Sequence, residues 1–315
     1  MWPFSLRLVA GPIERFSRLT PQLKANHPFQ YENIVNGLRL ILYGLFIKMV
    51  IADNLSVYVD EIYSEPLRYN SLSVLQGVFF YSFQIYSDFY GYSLIAIGSA
   101  RMMGVRIMDN FNTPYMARSI SEFWQRWHIS LSTRFRDYVY FPMGGNRVEK
   151  SRWVFNILVV FLVSGLWHGA NWTFVIWGGM FGALYIAEYI INKFLRVYRT
   201  EKSFKSTHVF LAIKTFVLVT LLWVLFRSSN FHQATDVLSS MFNNWFVEDG
   251  FIVEPEVWFF LILFILSDIA FYNSRFDKWI DKKPLFLRWP VYALLIFSII
   301  VFAGVENFPF IYFQF

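Results

Sequence analysis

The chain has 315 residues, of which 56% are hydrophobic, 21% are Phe, Trp or Tyr, and only 16% are charged. Soluble globular domains carry about 25% charged residues, so this composition argues against an ordinary soluble domain and indicates a membrane protein. The absence of cysteine excludes disulfide scaffolds, thiolate catalysis and Cys-ligated metal sites, while the formal net charge of +6 leaves a basic excess to be explained.

Seven stretches of the chain approach the length of about 20 mostly apolar residues that a helix needs to cross a bilayer. In chain order, these predicted membrane helices are 34–52, 72–99, 153–170, 172–191, 208–227, 257–273 and 289–306. The first contains Arg39 and Lys48, and the second contains Asp88 shortly before Gly91. An acid in a span can pair with an arginine, line a polar cavity, or face water at a helix break. The predicted fold class is therefore an all-α polytopic membrane protein.

The loops between the predicted spans alternate between basic and acidic. The basic loops are 1–33, 100–152, 192–206 and 274–288, and the acidic loops are 53–70 and 228–256. Because Lys and Arg collect in cytoplasmic loops, the alternation predicts a cytoplasmic N-terminus and an external C-terminus. Topology thus explains the basic excess. No basic face of a soluble fold indicates a nucleic-acid partner.

The segment 119–145 resembles neither a span nor a simple loop, because it mixes aromatic side chains with arginines. Ser119 or Ser121 can cap the start of a helix, and Glu122 stands where a capping box needs an acid after Ser119. Trp and Tyr favour the headgroup region of a bilayer, and Arg can extend towards it. The pattern predicts an amphipathic helix at the cytoplasmic interface, part of which can dip inward as a re-entrant element.

Two of the five histidines have a context that suggests chemistry. His168 lies at the outer end of the third predicted span, between Gly165 and Gly169, which permit close approach of a backbone or a substrate. An ionisable group at membrane depth is a functional candidate, and a neutral imidazole suits removal of a proton from a hydroxyl. The structural alternative is a histidine hydrogen-bonded to a neighbouring helix. His128 is followed by Ser130 and can instead be an interfacial histidine packed among Trp rings.

Several other chemistries lack their sequence signatures. Neither H-x-x-x-H nor H-E-x-x-H occurs, so we expect no metal site. The nucleophilic serine elbow G-x-S-x-G and a glycine-rich phosphate loop after a strand are also missing. A transporter or channel would show paired intramembrane charges or broken helices repeated in two halves, and the sequence suggests neither.

Four sequence blocks together resemble bacterial membrane-bound O-acyltransferases, most of all the alginate O-acetyltransferase branch. They are VAGPIERFSRLTPQL (9–23), SDFYGYSLIAIG (87–98), SISEFWQRWHISLSTRFRDYVYFPMGGNR (119–147) and SGLWHGANWTFVIWGG (164–179). The terminal FIYFQF (310–315) is also similar to the ends of such chains. The resemblance covers essentially the whole chain, and the RWHISLS and WHGANW blocks, in this order and spacing, are specific to the family.

The resemblance implies a ring of helices that is thin in the middle. An acyl thioester reaches the centre from the cytoplasm, and the acceptor reaches it from outside. His168 matches the catalytic histidine, and His128 matches the second family histidine, on the cytoplasmic side. The implied activity is transfer of acetyl from acetyl-CoA to an extracytoplasmic polysaccharide, with an external acetyltransferase partner protein. Arg126, Arg134 and Arg136 could attract the anionic donor, although membrane topology explains these arginines equally well.

The chain departs from the family in one respect, because family members usually have several more membrane helices before the VAGPI motif. We therefore expect 1–315 to form a single membrane domain that is shortened at its N-terminus. D-Alanyl transfer towards teichoic acid and O-acetylation of peptidoglycan remain open as activities of the same family. The shortened chain could also be an inactive remnant.

Overall fold

The computed structural model of the chain describes residues 11–194, 206–303 and 310. Within these ranges the backbone forms helices and turns and no β-strand, which confirms the all-α fold class. The helices are α1 (Phe16–Lys24), α2 (Tyr31–Phe46), α3 (Asp53–Ser64), α4 (Ser71–Met102), α5 (Ile120–Arg126), α6 (Ile129–Phe135), α7 (Lys150–His168), α8 (Trp172–Phe194), α9 (Ser206–Arg227), α10 (Phe231–Asn243), α11 (Pro255–Ala270), α12 (Phe276–Asp281) and α13 (Leu285–Phe302). Two π-helical turns, Ile47–Ala52 and Arg136–Tyr140, follow α2 and α6, and a 3₁₀ turn occupies Pro114–Met116.

Helices lie at all seven positions at which the sequence predicts a span, and residues 304–306 of the last predicted span lie outside the described residues. Among the described residues, five helical stretches are long and apolar enough to cross a bilayer: Tyr31–Ser64, Lys150–His168, Trp172–Phe194, His208–Arg227 and Leu285–Phe302. The other two predicted spans correspond to α4 and α11. The 16 residues of α11 reach about 24 Å, which is less than the roughly 30 Å of a hydrocarbon core. The predicted number of seven spans is therefore not confirmed.

The chain divides into two compact units. The first comprises Met1–Asp60, Phe80–Thr113 and Ile252–Phe315, and the second comprises Glu61–Phe79 and Pro114–Phe251. The expectation that 1–315 forms one membrane domain stays a prediction. Of the terminal block 310–315, only Phe310 lies within the described residues.

In the first unit, α2 and α4 approach each other at glycines. A Cβ atom on Gly91 would lie 2.7 Å from the carbonyl oxygen of Gly44, and one on Gly98 would lie 2.6 Å from that of Gly37. Small residues at such contacts let membrane helices pack backbone to backbone. Gly91 is therefore a packing position, and α4 continues through it to Met102.

Asp88 belongs to this interface and is buried. Its Oδ1 lies 2.7 Å from Nζ of Lys48, so the acid pairs with a lysine rather than an arginine and does not face water at a helix break. The sequence suggests no paired charges within the spans, and this ion pair shows that the prediction was wrong. The partners lie 40 positions apart, so their pairing depends on packing of α2 and its π turn against α4.

In the second unit, α7 and α8 form a tight hairpin. Gly165 of α7 lies against the backbone carbonyl of Phe174, and Gly178 of α8 lies against that of Phe161. A side chain at either glycine would collide with backbone, so the hairpin depends on both. The predicted close approach at Gly165 is confirmed.

The interfacial segment is more broken than the sequence suggests. Instead of one amphipathic helix, α5 ends before Trp127, α6 begins after His128, and a π turn follows α6. The predicted cap is present, because Ser119 Oγ accepts a hydrogen bond from the backbone N–H of Glu122 at 3.0 Å.

Candidate active site

The turn between α7 and α8 holds His168 in place. His168 is the last residue of α7, and Gly169 follows with φ of 158°. Asn171 accepts a hydrogen bond from the N–H of Thr173 at 3.1 Å, and its amide donates to the carbonyl of Ser229 at 2.6 Å. The corner that carries His168 is thus tied both to the start of α8 and to the end of α9.

Aromatic rings from α8 and α9 surround the His168 imidazole, which is only 6% exposed. The ring centroid of Phe226 on α9 lies 5.1 Å from it, and that of Trp177 on α8 lies 5.4 Å away at an interplanar angle of 88°. Phe174 adds a third ring at 6.4 Å. These rings restrict the orientation of the imidazole and keep bulk water away from it. A proton transfer at this position would take place in an apolar environment.

His128 occupies the break between α5 and α6 in a left-handed conformation, with φ of 42° and ψ of 52°. Few residues other than glycine adopt this conformation, which costs about 1–3 kcal/mol of strain and persists only where the surrounding structure enforces it. His128 is 3% exposed. Burial lowers the pKa of His128 well below its ordinary value, and the nearby His168 lowers it further. His128 is therefore a neutral imidazole at physiological pH.

Trp167 brings the two histidines into one site. Its ring centroid lies 6.2 Å from that of His128 and 5.1 Å from that of His168. The sequence predicts both histidines as candidates, and the structure brings them together within the second unit. Two buried imidazoles around a shared indole form an arrangement suited to proton and acyl transfer.

The aromatic residues behind the histidines did not stand out as site residues in the sequence. Trp177 and Trp223 stack at 5.8 Å, and Trp124 packs edge-on against Trp177 at 5.8 Å. Trp usually favours the ends of membrane helices. Trp177 instead lies inside α8, within the block 164–179. This position away from a helix end was the signal that could have identified it.

The structure separates the three predicted donor-binding arginines. Arg126 is buried, and its guanidinium lies 3.0 Å from Glu122. Burial raises the pKa of Glu122, but hydrogen bonds from Arg118 and the charge of Arg126 outweigh it and hold that pKa below its ordinary value. Arg126 is thus engaged by a charged carboxylate.

Arg134 and Arg136 are more exposed than Arg126. Arg134 lies over the ring of Tyr138 at 5.4 Å, while Arg136 pairs with Asp137 at 3.0 Å and lies over Phe141 at 5.7 Å. These two arginines are better placed to meet an anionic ligand. Among the described residues, no group of three or more His, Asp or Glu side chains is arranged to hold a metal ion.

The comparisons with known proteins agree on one family. The model of the membrane-bound O-acyltransferase family matches residues 4–231. A peptidoglycan O-acetyltransferase of Helicobacter pylori is 38% identical over 76% of this chain and 45% of its own length. A probable alginate O-acetylase AlgI of Pseudomonas putida is 34% identical over 98% of this chain and 66% of its own length.

A teichoic acid D-alanyltransferase of Bacillus subtilis is 28% identical over 71% of this chain and 59% of its own length. The chain spans about half the length of the curated relatives it matches. The matched region contains His128, His168 and the rings around them. Together with its apolar helices, this match shows that the chain is an integral membrane protein that belongs to the membrane-bound O-acyltransferase family.

Proposed function

We propose that this chain carries the catalytic centre of an enzyme that transfers an acetyl group from acetyl-CoA to a hydroxyl of an extracytoplasmic polysaccharide. The observation that carries the proposal is the shared burial of His128 and His168 around Trp167. The similarity to proteins named as alginate O-acetylases supports the choice of acetyl and of a polysaccharide.

In the proposed reaction, His168 acts as the base. A nitrogen of its ring accepts the proton of the acceptor hydroxyl while the hydroxyl oxygen forms a bond to the thioester carbonyl carbon. The tetrahedral intermediate collapses when the C–S bond breaks, and the proton passes from His168 to the departing thiolate. The products are an O-acetyl ester and a free thiol, so atoms and charges balance.

The proposed donor side contains His128 and the arginines after it. As a neutral imidazole, His128 can position the acyl group or accept it before transfer. Arg134 and Arg136 would attract the phosphates of the donor, while Arg126 would have to leave Glu122 to do so. This assignment needs the cytoplasmic membrane, with the N-terminus cytoplasmic and the C-terminus external.

The proposed acceptor side faces outward, where His168 ends α7. An external acetyltransferase partner protein would complete delivery to the sugar. The relatives favour one further candidate, because the peptidoglycan O-acetyltransferase is as similar as the alginate enzymes. In that case His168 would perform the same chemistry on a muramyl hydroxyl. The more distant D-alanyltransferases make D-alanyl transfer the weaker alternative.

The test measures acetyl groups in exported alginate and in peptidoglycan from cells that lack their own membrane-bound acetylases but retain the external acetyltransferase partner. The cells express the chain as wild type, His168→Ala or His232→Ala. His232 is the matched control, because its side chain is 84% exposed and pairs with Asp236. We expect acetylation with the wild type and His232→Ala, and none with His168→Ala, at equal amounts in the membrane.

Acetylation that survives in His168→Ala would refute the role of His168. Acetyl groups in peptidoglycan alone would show that peptidoglycan, rather than alginate, is the acceptor. If neither polymer is acetylated and teichoic acid gains D-alanine instead, the acetyl donor is wrong.

A further inference from the structure

The indole of Trp177 presents an unusual hydrogen-bond donor inside the second unit. The residue is 1% exposed, and its Nε1 makes no hydrogen bond within the described part of the chain. A buried indole N–H normally finds a partner, because leaving it unpaired sacrifices the hydrogen bond it made with water. A buried donor without a partner lowers the stability of the fold, so its presence in a native structure often has a functional reason.

Trp177 lies beside the candidate base. Its ring stands edge-to-face against His168, with centroids 5.4 Å apart and an interplanar angle of 88°. Two neighbouring indoles, Trp124 and Trp223, also have buried Nε1 atoms without an acceptor among the described residues. Trp124 and Trp223 pack against Trp177, whereas Trp177 itself packs directly on His168, so its N–H is the one placed to act beside the candidate base.

Acyl transfer requires such a donor. When the carbonyl carbon of the acyl group becomes tetrahedral, its oxygen takes on negative charge, and a fixed N–H aimed at that oxygen stabilises the transition state. In an apolar site this hydrogen bond is stronger than in water. His168 can remove a proton but cannot stabilise the oxyanion at the same time, so a second group must do so.

We propose that Trp177 is a further catalytic residue, whose indole N–H donates a hydrogen bond to the oxygen of the acyl carbonyl. The inference rests on the proposed acyl transfer and names a new residue in that site. The hydrogen bond strengthens as the hydroxyl oxygen adds to the carbonyl carbon, and it weakens when the C–S bond breaks and the ester carbonyl forms. No bond of the indole is broken, and the proton stays on Nε1.

The structural alternative is that the N–H of Trp177 points at a neighbouring ring. Phe181 lies 5.2 Å away at 76°, a geometry compatible with a weak N–H···π contact. In that case Trp177 would support packing, and loss of the N–H alone would leave catalysis unchanged.

The deciding experiment replaces Trp177 with 3-benzothienylalanine, in which sulfur takes the place of the N–H and the ring shape is kept. The same analogue at Trp223 is the matched control, because Trp223 is equally buried, stacks on Trp177 and also has no acceptor among the described residues. Each variant of the full chain is assayed in membranes with radiolabelled acetyl-CoA and the acceptor polymer on which the wild type works.

We expect kcat to fall about 100- to 1000-fold with the analogue at Trp177, which is the loss typical of removing one oxyanion donor. The KM for acetyl-CoA should change little, because the hydrogen bond gains its strength in the transition state. The analogue at Trp223 should retain kcat.

A second readout does not depend on turnover. Ultraviolet resonance Raman spectra report the hydrogen bonding of indole N–H groups, and the difference between wild type and Trp177→Phe isolates residue 177. Binding of acetyl-carba(dethia)-CoA, a ketone analogue of the thioester, should shift the Raman band of the Trp177 indole to the position of a hydrogen-bonded indole.

Unchanged kcat with the analogue at Trp177, or an equal loss with the analogue at Trp223, would overturn the inference while the proposed function stands. A wild type that transfers acetyl to no acceptor would instead reject the proposed function, and the inference would fall with it.

Discussion

Lys48 and Asp88 form an ion pair within the buried part of the first unit, with Nζ 2.7 Å from Oδ1. Asp53 adds a second carboxylate 2.6 Å from the same Nζ, and the ring of Phe310 lies 4.8 Å away. The π turn Ile47–Ala52 explains part of this arrangement, because π geometry brings residues five apart, such as Lys48 and Asp53, onto one face. The cluster thus joins α2, its π turn and α4.

Replacing Lys48 with methionine should destabilise the protein by about 3–5 kcal/mol, because two carboxylates would stay buried without their cation. The measurement is thermal unfolding of the purified protein in detergent. Arg68→Met is the control, since its partners Glu65 and Asp249 are exposed and such pairs contribute about 1 kcal/mol or less. Equal unfolding temperatures for the two variants would show that the buried cluster adds no stability.

The left-handed backbone at His128 should tolerate some substitutions better than others. Asn tolerates the left-handed region, whereas Val there costs about 1–2 kcal/mol more per residue. We expect His128→Asn to fold and to lose acyl transfer, and His128→Val to accumulate less in the membrane and unfold earlier. The acetylation assay measures the loss of acyl transfer in His128→Asn. Immunoblots and thermal unfolding measure the lower amount and the lower stability of His128→Val. An active His128→Asn enzyme would limit the role of His128 to packing.

Adjacent glycines of α8 should respond oppositely to alanine. A Cβ on Gly178 would collide with the carbonyl of Phe161, so Gly178→Ala should force α7 and α8 apart and cost about 1–3 kcal/mol. A Cβ on Gly179 would lie an ordinary 3.4 Å from Leu162, so Gly179→Ala should be neutral or stabilise by about 0.5–1 kcal/mol. Thermal unfolding of both variants checks the pair, and equal stability would contradict the tight hairpin.

Ser119→Ala should weaken the start of α5 by about 1 kcal/mol, because the N–H of Glu122 loses its acceptor. Hydrogen exchange at the amides of α5 should rise in this variant. Ser121→Ala is a suitable control, since the contact of the Ser121 hydroxyl with Tyr185 is long, at 3.5 Å. Unchanged exchange in Ser119→Ala would show that packing alone holds the helix.

Glu122 makes stability depend on pH in a defined direction. Because its pKa is held below the ordinary value in the folded protein, its contribution is present above the unfolded pKa and is lost as pH falls through the folded pKa. The unfolding temperature of the wild type should therefore fall more steeply than that of Glu122→Gln as the pH falls below about 4.5. Parallel curves would show that the Arg118 and Arg126 contacts do not stabilise the charged form.

Features encoded in neighbouring residues could be read from the sequence alone. The apolar lengths predict the helices, Ser119 and Glu122 predict the start of α5, and the Gly165 context predicts a close helix contact. The two histidines stand out because ionisable groups are rare in such stretches. The sequence also indicates the family through its motifs, and the family match confirms that indication.

Tertiary structure alone decided which distant side chains meet. Lys48 reaches Asp88, and His168 meets Trp177 and Phe226, only because particular helices pack together. The left-handed break at His128 and the two π turns likewise replace regular helix where packing demands it. A sequence shows local propensity and apolar length directly. The partner of a buried charge or of an indole N–H depends on three-dimensional proximity, which one linear pattern does not contain.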